Sequence, residues 1–118
     1  MRKPPDLASL RAAWWARRAW RTAHGALAQG EIANIELPAP PPLPKSAIRG
    51  VEGLLRHRQP TCLERALVLQ RWLLAQGEPR AIIIGVTAPS DGFTAHAWLL
   101  GREDPIAPLY HELTRLEP

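Results

Sequence analysis

Apolar residues recur at spacings of three and four from Asp6 to about Gln29, at Leu10, Ala13, Trp14, Ala16, Trp20, Ala23 and Leu27. That period belongs to a helix with one covered face, and Asp6 stands where a carboxylate caps the first turn. Arg11, Arg18 and Arg21 fall on the other side, which predicts an amphipathic helix with an aromatic front and a basic back. Trp14 and Trp20 are expected in the core, since tryptophans at helical spacing need no ligand to account for them.

Residues Glu31 to Leu37 alternate Ile32, Asn34 and Glu36 against Ala33, Ile35 and Leu37, the pattern of a short extended piece. Pro38 to Pro44 then reads Pro-Ala-Pro-Pro-Pro-Leu-Pro. Each ring lacks an N–H donor and forces its predecessor into extended geometry, so helix and central strand are both excluded. The expected organisation is a basic helix and extended segment over residues 1–37, a stiff connector over 38–45 and a core over 46–118, all in one compact domain. The connector's alternative use is as a ligand for a proline-reading domain.

A second helix is predicted from Ser46 to about Arg58, with Ile48, Val51, Leu54 and Leu55 on one side and Pro60 as its stop. A third follows at once. Thr61 and Glu64 make a Thr-x-x-Glu capping box, and Gly77 supplies the end. Leu63, Ala66, Leu67, Leu69, Leu73 and Leu74 cover more than one side of it, so it belongs in the interior. Arg80 to Val86 is a β-branched run suited to a strand covered on both faces. After a turn at Pro89, Ser90, Asp91 and Gly92, a second strand runs from Phe93 to Leu100. There Phe93, Ala95, Ala97 and Leu99 point one way and Thr94, His96, Trp98 and Leu100 the other. Gly101 opens a tight turn, and the tail from Pro105 to Pro118 is expected to dock on the core through Leu109, Tyr110, Leu113 and Leu116.

At 118 residues the chain suits one core and not two. Lys and Arg outnumber Asp and Glu by 15 to 11, a net charge of +4, and much of the excess lies in the first 25 residues. An acidic partner or a merely solvated face both fit that surplus. One cysteine excludes an intramolecular disulfide, and no apolar run approaches the ~20 residues of a bilayer crossing. With no signal-like N-terminus, a cytoplasmic protein is expected.

Cys62 falls in the first turn of the third helix, where unpaired backbone N–H groups and the positive end of the helix dipole stabilise a thiolate and hold an oxyanion. A buried structural cysteine is the alternative. His96, between the small Ala95 and Ala97 and ahead of Trp98, is the candidate base. A hairpin pivoting near Leu100 would set Asp104 opposite His96, with Cβ atoms about 4.5–5.5 Å apart, where a carboxylate orients the imidazole. Alternatively Glu103, Asp104 and Pro105 form a polar turn, with Glu103 the lesser candidate for the orienting role. Gln59, three residues before Cys62, is a further candidate oxyanion donor. His24, His57 and His111 show no paired ligand spacing, so no metal site is expected.

The stretches Cys62-Leu63-Glu64-Arg65-Ala66-Leu67-Val68-Leu69, Leu73-Leu74 with Gly77, Ile82-Ile83-Ile84-Gly85-Val86 and Phe93-Thr94-Ala95-His96-Ala97-Trp98-Leu99 resemble the transglutaminase-like leader peptidases of lasso-peptide biosynthesis, the microcin-processing B-protein family. The likeness covers roughly residues 46 to 118. It implies an α+β, papain-like core with N-terminal helices packed on a small antiparallel sheet. It also implies a cofactor-free cysteine protease that cuts a ribosomally made precursor peptide, with Cys62 as nucleophile, His96 as base and then acid, and Asp104 as orienting carboxylate. The eight residues from histidine to aspartate are fewer than is usual in that family. Fused members carry a leader-binding domain that 45 residues ahead of Ser46 are too few to form. The implied partners are therefore the precursor peptide, a separate leader-recognition protein docking on the basic helix Arg11 to Arg21, and the ATP-dependent lasso cyclase. Neither nucleic acid nor a membrane span is expected. A non-catalytic module gripping a peptide or protein is the other reading.

Overall fold

The first helix, α1 (Leu7–Ala28), is started by Asp6, whose carboxylate accepts the Ser9 N–H at 2.7 Å. The computed structural model describes residues 6–32, 34–88, 90, 92 and 94–118. Ala33, Pro89, Asp91 and Phe93, on which parts of the expected extended piece, turn and second strand fall, lie outside the described residues.

The buried face of α1 is a row of small residues, Ala12, Ala16, Ala19 and Ala23, each fully buried, with Trp15 beside them. The expected place of Trp14 in the core is thereby corrected: Trp14 is 67% exposed, and Trp15 packs against Trp72 with ring centroids 5.8 Å apart. Alanine is only weakly apolar, so hydrophobicity alone centres the face on the larger residues. The packing instead selects narrow ones, which let a neighbouring helix approach. That neighbour is α2 (Ile48–Arg58), preceded by a 3₁₀ turn at Lys45–Ala47. A Cβ on Gly50 would overlap the carbonyl oxygen of Ser9, so the helices cross in backbone contact. Val51 and Leu55 are fully buried. Gln59, ahead of Pro60, closes α2 in the left-handed region (φ 50°), its N–H bonded to the Leu55 carbonyl.

The proline-rich segment lies against the helices. Trp15 Nε1 donates to the Pro38 carbonyl at 2.8 Å, and Gln76 Nε2 donates to the Leu43 carbonyl at 3.0 Å. No strand forms over the described residues between 31 and 37.

Helix α3 (Cys62–Ala75) has the full capping box: Glu64 N–H donates to Thr61 Oγ1 at 3.2 Å and Thr61 N–H donates to Glu64 Oε1 at 3.0 Å. Ala66, Leu67, Leu69 and Leu73 are buried as the pattern predicts, together with Val68 and Trp72, while Leu63 is half-buried and Leu74 exposed. Gly77, at φ +80°, turns the chain toward the sheet.

Strands β1 (Ile82–Val86), β2 (Ala95–Leu99) and β3 (His111–Leu116) form an antiparallel sheet in the order β2-β1-β3. Ile82 and Ile83, on opposite faces of the central strand, are both buried, as expected of a strand covered on both sides. The tail meets expectation in part. Leu116 packs on the core and Tyr110 on the His96 and Trp98 rings, whereas Leu109 and Leu113 are 68% and 67% exposed, so backbone pairing with β1 supplies the rest of the tail's attachment. The residues after Leu100 do not pair with β2 either; they run through turns to a 3₁₀ turn at Ala107–Leu109. The architecture is α+β, three helices against three strands. Among the described residues no helix is long and apolar enough to cross a membrane.

Candidate active site

Cys62 opens α3 and is partly buried. Its sulfur accepts a hydrogen bond from the Ala97 N–H at 3.4 Å. The ladder explains why that N–H is at hand. Thr87 N–H donates to the Thr94 carbonyl and Leu100 N–H to the Ala81 carbonyl, which fixes the alternation so that Ala95, Ala97 and Leu99 turn their backbone groups away from β1. Strand β2 lies at the edge of the sheet, and its open side faces the start of α3.

His96 leaves β2 on the face opposite Ala97 and Leu99, whose side chains join the helical core. Its Nε2 lies 2.8 Å from Oδ2 of Asp104. The other Asp104 oxygen accepts the N–H groups of Ile106 and Ala107 at 3.1 and 3.2 Å. Burial pushes the Asp104 carboxyl up, but the hydrogen bonds from His96 and those two N–H groups outweigh it and hold it below the usual aspartate value. An ionised Asp104 only accepts, so His96 Nε2 is the donor in this hydrogen bond. The ring is flanked by Trp98 (centroids 5.6 Å, 19°) and Tyr110 (5.2 Å, 37°). Gly85, paired with His96 across the ladder, makes room for both: a Cβ there would come within 2.9 Å of the Trp98 ring and of Tyr110 Cβ.

Cys62 and His96 line one open cleft of about 310 Å³, together with Arg65, Trp98, Arg102 and Asp104. The cleft straddles the free edge of β2. Among the described residues, the sulfur's hydrogen bond is to Ala97 and the imidazole's is to Asp104, so the two side chains share the cleft but not a hydrogen bond. The meeting of His96 with Asp104 arises from the turn at 101–106 folding back under β2, and the expected hairpin is corrected accordingly.

Glu103 is exposed on the cleft wall, but the carboxylate on the imidazole is that of Asp104. Gln59 is exposed at the end of α2 and is not among the cleft's lining residues. His24 Nδ1 instead meets Glu64 Oε2 at 2.6 Å, and no metal-binding group of three forms among the described residues. Sequence reasoning missed the Ala97 N–H, and it named Tyr110 and Gly85 without placing them beside His96; the glycine inside a β-branched run was the available signal. Glu64, read only as a cap, is 5% exposed and also accepts Trp20 Nε1 at 3.2 Å. Its burial pushes its carboxyl up, and the bonds from His24, Thr61 N–H and Trp20 bring it below the ordinary value.

The family model described as the Transglutaminase-like superfamily matches residues 6–114. The chain belongs to the transglutaminase-like superfamily. The match begins at the cap of α1, so the superfamily's domain in this chain includes the N-terminal helix as well as the cleft. Transglutaminase-like proteins include cysteine peptidases as well as non-catalytic members. No curated protein and no solved structure matches the chain.

Proposed function

We propose that this transglutaminase-like protein is a cysteine peptidase that removes the leader from a ribosomally made lasso-peptide precursor. The observation that carries the reading is the His96–Asp104 pair at 2.8 Å in the cleft that Cys62 lines. The motif likeness over residues 46 to 118 supplies the substrate class.

In this mechanism His96 Nδ1 takes the Cys62 proton and the thiolate attacks the scissile carbonyl carbon. In the first turn of α3, Glu64 N–H is held by Thr61 Oγ1 and Arg65 N–H by the Thr61 carbonyl. The N–H groups of Cys62 and Leu63 are then available to the oxyanion. His96 returns its proton to the departing amine, leaving a thioester, and a water deprotonated by His96 releases the acid and regenerates the thiol. Asp104 holds the imidazolium throughout. A separate leader-recognition protein presents the precursor, and the lasso cyclase uses the product, all in the cytoplasm.

The test is to incubate the protein with a precursor peptide, with and without a recognition partner, and to follow the products by mass. Cleavage at the leader–core junction that vanishes in Cys62→Ala, with the fold intact by circular dichroism, supports the assignment. Cleavage retained by Cys62→Ala would remove it.

A further inference from the structure

Helix α1 carries Arg11, Arg17, Arg18 and Arg21 and no aspartate or glutamate in its 22 residues. Among the described residues, none of the four has a carboxylate oxygen within 4.0 Å. Like charges one turn apart on a helix repel, so this charge is kept against the helix's own stability. On the same side, Leu7 is 73%, Leu10 48% and Trp14 67% exposed. Positions 7, 10, 11, 14 and 18 form one stripe along a helix. The Arg17 guanidinium lies over the Trp14 ring at 5.9 Å.

Beside this stripe is a groove of about 420 Å³, walled by Arg11, Trp14, Trp15, Arg18, Ala39 and Pro41. The hydrogen bond from Trp15 Nε1 to the Pro38 carbonyl holds its proline wall in place. None of these residues lines the Cys62 cleft. The core uses Trp15, which leaves Trp14 with no packing role, and an exposed tryptophan ringed by arginines has the composition of an interface anchor.

We propose that this groove docks an acidic segment of a partner protein. Its carboxylates pair with Arg11 and Arg18, and an apolar side chain seats between Trp14 and Pro41. A membrane surface requires a broad apolar face, whereas the apolar groups here flank a slot. RNA phosphates satisfy the arginines but leave Leu7, Leu10 and Trp14 facing a charged backbone. The surface lies apart from the cleft, so the inference stands whatever chemistry the cleft performs.

The test uses the full chain and fluorescence anisotropy with labelled peptides of about twelve residues. One alternates Glu and Asp with Leu and Phe, a second has Lys at every acidic position, and a third has Ser at every apolar one. Vesicles of phosphatidylglycerol and a short single-stranded RNA complete the set. The acidic apolar peptide is expected to bind, to weaken about tenfold or more in Trp14→Ser and in Arg11→Glu with Arg18→Glu, and to weaken with added salt. The Lys and Ser peptides are expected to bind at least about tenfold less well. Absence of binding by the acidic apolar peptide, equal binding of the Lys peptide, or variants that bind like the parent overturns the proposal. So does a dependence on Trp14 and the arginines seen only with vesicles or only with RNA. Cys62 alkylation, expected unchanged in Trp14→Ser, reports the cleft separately.

Discussion

His96 Nε2 and Asp104 Oδ2 stand 2.8 Å apart, and the second Asp104 oxygen is pinned by two backbone N–H groups of its own loop. The loop thus aims the carboxylate, and the carboxylate aims the ring. Asp104→Asn keeps the shape but removes the charge that stabilises imidazolium. If the proposed peptidase activity holds, precursor cleavage is expected to fall about 10²–10⁴-fold in kcat with little change in Tm. Wild-type turnover in this variant would end the orienting role.

Gly85→Ala sets a methyl against Trp98 and Tyr110. Either the two rings shift or the strand does, at a cost of about 1–3 kcal/mol. Urea denaturation should record the loss and near-UV circular dichroism a changed Trp98 environment. Cleavage should drop with them, since the same rings flank His96. Unchanged spectra and stability would show that the wall tolerates the methyl.

Glu64 has its carboxyl depressed in the folded chain by His24, Thr61 N–H and Trp20, against its burial. A depressed acid stabilises the fold above its unfolded value of about 4.3, and that contribution disappears as pH falls through the lower folded value. Glu64→Gln is expected to cost about 1–3 kcal/mol at pH 7. The gap to wild type should narrow as pH falls below about 4.3, as measured by denaturation at a series of pH values. A gap that stays constant, or widens in acid, contradicts the assignment.

Two glycines of α2 make a paired comparison. In Gly53→Ala the nearest atom to the new Cβ is Arg56 Nη2 at 3.9 Å, so the variant should gain roughly the 0.8–1.0 kcal/mol of helix propensity. Gly50→Ala gains the same propensity but meets the Ser9 carbonyl, a backbone atom. Its net effect is expected to be destabilising by at least about 1 kcal/mol. Equal Tm shifts in the two variants would refute the close helix crossing.

Helix starts were the most legible part of the sequence. Asp6 and Thr61 with Glu64 are caps whose chemistry is local, and both form where the sequence places them. The central strand was legible for the same reason, as a run of isoleucines covered on both sides. The face of α1 was not, because what decides it is the distance to α2, and that distance is set by Gly50 and Ser9 far along the chain from one another. The proximity of His96 and Asp104 was anticipated, yet the hairpin argument for it was wrong: one side of β2 pairs with β1 and the other faces the start of α3, and the loop closes through Asp104's own backbone hydrogen bonds. Tyr110 was legible as a residue that docks the tail but not as a neighbour of His96, and the Ala97 N–H was not legible at all, because these contacts depend on strand order and on which backbone groups an edge strand leaves outward. Neither is written in residue type.

The proline-rich segment is held at one end by Trp15 and at the other by Gln76. A chain with so many rings has few conformations to surrender even when unfolded. The loop joining the first helix to the rest is therefore half-ordered before any contact forms, and closing it sacrifices less freedom than a flexible tether of equal length would. The stiffness of the unfolded chain thus adds to what the two hydrogen bonds visible in the folded one contribute to fastening the N-terminal helix.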